Sequence, residues 1–116
     1  MHTKGDGLVV VEDESAYKDV VDREHNDTFL RQAFVHRAGH CAFTPAETVV
    51  AFQALVDRLN AGTWPKLAAG ALNQEAKALG STFNVLFVNG QEVPVAPAYF
   101  KFAPAAFLRP FDAGKN

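Results

Sequence analysis

Cysteine occurs once, at Cys41, which excludes an internal disulfide framework and a multi-thiolate zinc site. No surplus of basic charge is present either. Eleven Lys and Arg stand against 13 Asp and Glu, so the strongly basic face of a nucleic-acid-binding module is missing. No apolar run approaches the roughly 20 residues that a membrane-spanning helix needs. Repeats and low-complexity tracts are absent. Length is short as well: 116 residues make one small domain, and large α/β enzymes use about twice as many.

What the chain does have is apolar and aromatic material. Hydrophobic residues make up 48%, with ten Phe, enough for a core. Charge is uneven: residues 1–28 hold eight acids against three bases, and the remainder is net basic. The acids alternate with apolar positions, which reads as the solvated face of a helix rather than an interaction tail.

Local signals place the elements. Acids Glu12 to Glu14 precede Ala16, Tyr17, Val20 and Val21, an apolar stripe that predicts a helix from about Glu14 to His25. Phe29 to Val35 reads as a strand, followed by a loop from Arg37 to Phe43. Thr44-Pro45-Ala46-Glu47 is a helix start: Thr at the N-cap, Pro at the first helical position, Glu completing a capping box. Val49, Phe52, Leu55, Val56 and Leu59 are its expected buried stripe, and Gly62 its end. Leu72 to Leu79 predicts a short helix stopped by Gly80. Thr82 to Val88 and Gln91 to Val95 predict a hairpin about Asn89-Gly90. Four prolines between Pro94 and Pro110 make the Phe-rich tail an extended cover rather than a central strand.

Two residues stand out chemically. Asp6 lies in Gly5-Asp6-Gly7 and His40 in the Gly39-His40 loop, with a helix and a strand between them. A histidine base needs a carboxylate on Nδ1 to fix its tautomer and to stabilise the imidazolium. Loops after successive parallel strands supply both groups, and one βαβ crossover takes about 30 residues. That spacing fits. His36, His40 and Cys41 as a metal set is the weaker reading, because Gly39 and the strand pattern argue against a shared helix face. Cys41 reads as a small packed residue, since adjacent side chains point apart. His2 and His25 read as loop or surface residues, and Trp64 as a packing anchor behind the helix that ends at Gly62.

His2-Thr3-Lys4-Gly5-Asp6, the helix containing Tyr17, and Arg37-Ala38-Gly39-His40-Cys41-Ala42-Phe43-Thr44-Pro45-Ala46-Glu47 resemble the C-terminal part of bacterial α/β-hydrolases. The Phe107-Leu108-Arg109-Pro110-Phe111 tail is also similar to their terminal extension. The resemblance implies an α/β fold: a βαβα unit of the hydrolase sheet over residues 1–62, then a short helix, a hairpin and an aromatic tail over 63–116. It implies Asp6 as triad acid and His40 as triad base, with no cofactor and no metal. In that family the serine precedes both on a G-x-S-x-G elbow. Ser15 and Ser81 are this chain's only serines and neither lies in such an elbow. The strand before Asp6 and the oxyanion-hole loop are missing on this reading. The expectation is therefore the acid/histidine part of a serine hydrolase, inactive alone, which takes an ester or peptide-like substrate when completed. Such a piece exposes apolar surface and pairs with a complementing chain or a second copy. The alternative is a non-catalytic interaction or oligomerisation module derived from a hydrolase.

Overall fold

The computed structural model describes residues 1–107. Eight elements follow one another: β1 (His2–Gly5), α1 (Asp13–Arg23), β2 (Phe34–Ala38), α2 (Pro45–Ala61), α3 (Ala69–Ala78), β3 (Val85–Val88), β4 (Gln91–Pro94) and β5 (Tyr99–Phe100). They form a small mixed α/β domain with one sheet ordered β1-β2-β5 and a separate β3-β4 hairpin.

β1 and β2 run parallel, joined through α1, so the expected βαβα unit is present. The strand before Asp6 is therefore not missing: His2 to Gly5 forms it, and His2 and Thr3 are buried there rather than lying in a loop. The second strand starts later than Phe29. Asp27–Phe29 is a single 3₁₀ turn, and the ladder begins at Phe34, where His2 and Thr3 pair with Phe34 and Val35. Tyr99 and Phe100 pair antiparallel with Val35 and Phe34. The tail thus contributes a two-residue edge strand between Pro97 and Pro104, because an edge needs a ladder on one side only. The part of the tail at Leu108 to Phe111 lies outside the described residues.

α2 begins as its sequence requires. The Glu47 N–H donates to Thr44 Oγ1 at 3.1 Å, and Glu47 Oε2 accepts from the Thr44 N–H at 2.8 Å. Gly62 ends the helix at φ 72°, a left-handed position that glycine adopts without steric cost. The buried stripe, however, is Ala46, Val50 and Ala54. Val49, Phe52, Leu55 and Leu59 are exposed, Phe52 by 65% and Leu59 by 74%. Small side chains let α2 approach α3 closely, while the large ones line the opposite face. Tyr17 of α1 likewise faces outward.

The core is Val35, Ala46, Val50, Leu72, Ala76 and Tyr99, between β2, β5 and the pair α2/α3. Asn84, buried, donates to the carbonyls of Ala76 and Gly80 and so ties the hairpin to α3. The hairpin's first strand starts at Val85 because Ser81–Phe83 forms a 3₁₀ turn. Asn89 and Gly90, at φ 51° and 78°, make the two-residue turn. Thr44→Ala is expected to destabilise the chain by about 1 kcal/mol, the usual worth of a helix N-cap. A fall in the urea midpoint at unchanged slope measures it.

Candidate active site

Asp6 and His40 follow the carboxyl ends of two adjacent parallel strands, where α/β sheets gather their functional loops. Gly5 makes the approach possible. A Cβ on it would stand 3.1 Å from the Ala38 Cα, inside ordinary contact, so β1 and β2 close together just before the two side chains depart. The Gly39 N–H donates to the Gly5 carbonyl at 2.9 Å, and Thr3 Oγ1 donates to the Gly39 carbonyl at 2.7 Å. Gly39 itself sits at φ 107°, where a side chain is strained.

From that frame the Asp6 Oδ2 lies 2.9 Å from the His40 Nδ1. The other carboxylate oxygen is occupied locally: Oδ1 accepts the N–H groups of Leu8 at 2.8 Å and Val9 at 3.1 Å. Desolvation pushes the Asp6 carboxyl up, but the Val9, Leu8 and His40 hydrogen bonds outweigh it together and hold it at about 2. Asp6 is thus an anion with each oxygen assigned. Its side chain is almost buried while that of His40 is 44% exposed.

Cys41 departs from expectation. It is exposed rather than packed, and its φ of 52° turns the chain so that Sγ stands 3.5 Å from the His40 Nε2. The i, i+1 rule that side chains diverge assumes an ordinary backbone, and a left-handed residue breaks it. Asp6, His40 and Cys41 therefore form a row, with an acid on Nδ1 and a thiol by Nε2.

The other histidines stand apart. The His2 Nδ1 lies 2.8 Å from the Thr3 carbonyl, His25 is exposed after α1, and His36 packs against the Phe100 ring. Among the described residues no three His, Cys, Asp or Glu side chains gather as a metal requires. Trp64 donates from Nε1 to the Thr28 carbonyl at 2.9 Å, with Arg31 and Arg58 over its ring.

The buried Glu47 is the residue that sequence reasoning placed only as a cap. It also holds Arg37 in a two-pronged ion pair, with Nη1 to Oε2 at 2.7 Å and Nη2 to Oε1 at 3.1 Å. The sequence does hold both charges ten residues apart, but nothing in their spacing points one at the other.

With this geometry in view, comparison with known proteins relates the chain to a hydrolase. It is 33% identical over 96 residues to the o-phthalyl amidase of Xanthobacter agilis, a match that covers 81% of this chain. The chain spans 21% of that relative's length. No family model matches, and no solved structure matches.

Proposed function

We propose that the chain carries the acid and the base of a serine hydrolase of the α/β-hydrolase type, with the nucleophile supplied by another segment. The 2.9 Å contact between Asp6 Oδ2 and His40 Nδ1, at the ends of adjacent parallel strands, is the observation that carries this reading. A histidine so held keeps its proton on Nδ1 and offers the Nε2 lone pair outward. That lone pair takes the proton from a serine hydroxyl as its oxygen attacks the substrate carbonyl. The imidazolium, paired with Asp6, then protonates the leaving group, and water repeats the sequence on the acyl-enzyme. The incoming hydroxyl takes the place beside Nε2 that the Cys41 thiol holds in its absence.

The relative is by name an o-phthalyl amidase, which favours an amide over an ester as the bond cleaved. Two surfaces suit the segment that brings the serine. β1 has β2 as its one partner among the described residues, so its other edge is open to a further strand. The outward apolar face of α2, with Phe52 and Leu59, is of the kind a second chain or segment covers.

A graft tests the proposal. This chain's matching segment replaces its counterpart in the Xanthobacter agilis amidase, and hydrolysis of that enzyme's amide substrate is measured. Retained turnover is the expected result. A folded graft without turnover, judged by circular dichroism and a cooperative thermal transition, counts against the reading and favours a non-catalytic module.

A further inference from the structure

We propose that the Arg37–Glu47 pair, completed by the segment from Ala96 to Ala98, is a clamp that positions His40. The inference rests on the acid–base reading above and deepens it.

His40 rides on a loop between the end of β2 and the N-cap of α2. The near end of that loop is fixed by Gly5 and Thr3, as described. The far end is fixed by Arg37, whose Nη1 donates to the Ala42 carbonyl at 2.8 Å as well as to Glu47. Glu47 in turn accepts the Thr44 N–H on Oε2 and the Ala98 N–H on Oε1, each at 2.8 Å. Arg37 Nη2 closes the circuit on the Ala96 carbonyl at 3.1 Å.

Each oxygen of the carboxylate thus meets one guanidinium N–H and one backbone N–H. The Glu47 side chain is fully buried and that of Arg37 is 13% exposed. A capping box does not need this, since an exposed Glu serves it equally well. Burying a charged pair seldom adds stability over an apolar pair of the same volume. Its return is geometric: three separate stretches of chain, the His40 loop, the start of α2 and the approach to β5, are held at one point. The aromatic tail then does more than cover the core, because its leading residues complete the polar frame behind the histidine.

The test reads the tautomer of His40 in the intact chain through its ring ¹⁵N shifts, at a pH where the imidazole is neutral. Wild type is expected to show the Nδ1–H form that Asp6 selects. Arg37→Lys keeps the charge but loses the fork, and Glu47→Gln keeps an oxygen for Thr44 but loses the charge. Each is expected to lower the ratio of Nδ1–H to Nε2–H about threefold, as weakening one hydrogen bond does. Tyr99→Phe removes the hydroxyl that donates to the Glu47 carbonyl and leaves the clamp intact, so it perturbs packing without changing the ratio. Folded Arg37→Lys and Glu47→Gln chains with the wild-type pattern overturn the clamp, as does an equal change in Tyr99→Phe. Should Glu47→Gln not fold, Arg37→Lys decides alone. Asp6→Asn separates the two ideas: if it leaves the tautomer unchanged, the acid–base reading fails and the clamp falls with it.

Discussion

His40→Ala is expected to lower kcat of the grafted enzyme by a factor on the order of 10⁴ to 10⁶, with KM little changed. The size follows from the role proposed for the residue. Removing it leaves the attacking hydroxyl without an acceptor and the leaving group without a donor, and both losses fall in the transition state. Substrate contacts made elsewhere are untouched, so ground-state binding persists. The fold should also persist, because the His40 side chain is 44% exposed and its one strong partner is Asp6. Single-turnover kinetics on the substituted graft, with its thermal transition measured in parallel, check both halves. Turnover equal to that of the parent graft removes His40 from the chemistry.

The residues that make this expectation possible were legible in the sequence because their signals are local or topological. Gly5-Asp6-Gly7 and Gly39-His40 announce turns, and the helix between them announces a crossover. The strand that carries Asp6, expected to be missing, is His2–Gly5, and its parallel pairing with β2 brings the two loops together. The capping box at Thr44 and the turn at Asn89-Gly90 are likewise written in four and two residues. Two further features were not legible for the opposite reason. The buried face of α2 is chosen by how closely the helix approaches its neighbours, which favours Ala46, Val50 and Ala54 over the larger Phe52 and Leu59. Hydrophobic periodicity weighs the large residues most and so picks the wrong face. The bond between Arg37 and Glu47, and its closure on Ala96 and Ala98, depends on where β5 lands beside β2. A two-residue strand among prolines gives no pattern to read.

The sharper prediction concerns the carboxylate. Asp6→Asn is expected to lower kcat by about 10⁴, although only one atom changes. The local hydrogen bonds determine why. Leu8 and Val9 donate N–H groups to Oδ1, and an asparagine oxygen satisfies them equally well. That fixes the amide's orientation and puts its NH₂ where Oδ2 was, facing the His40 Nδ1. A donor there makes Nδ1 the acceptor and moves the ring proton to Nε2, so the base is presented with its lone pair inward. The loop keeps its shape while the histidine takes the wrong tautomer. Acid stability separates this electrostatic role from the structural one. The Asp6 carboxyl is held at about 2 against an ordinary value of 3.8, so its ionised form stabilises the fold above the ordinary value. That contribution fades as pH falls from near 3.8 through about 2. Asp6→Asn lacks the titration, and its unfolding midpoint should vary less with pH across that window. Near neutrality Asp6 stays ionised, so a loss of the parent graft's rate on mild acidification does not come from the carboxylate. Urea unfolding from pH 5 down to about 2, beside the pH dependence of kcat/KM, measures both. An Asp6→Asn enzyme with parental turnover would show that the carboxylate does not set the histidine's tautomer.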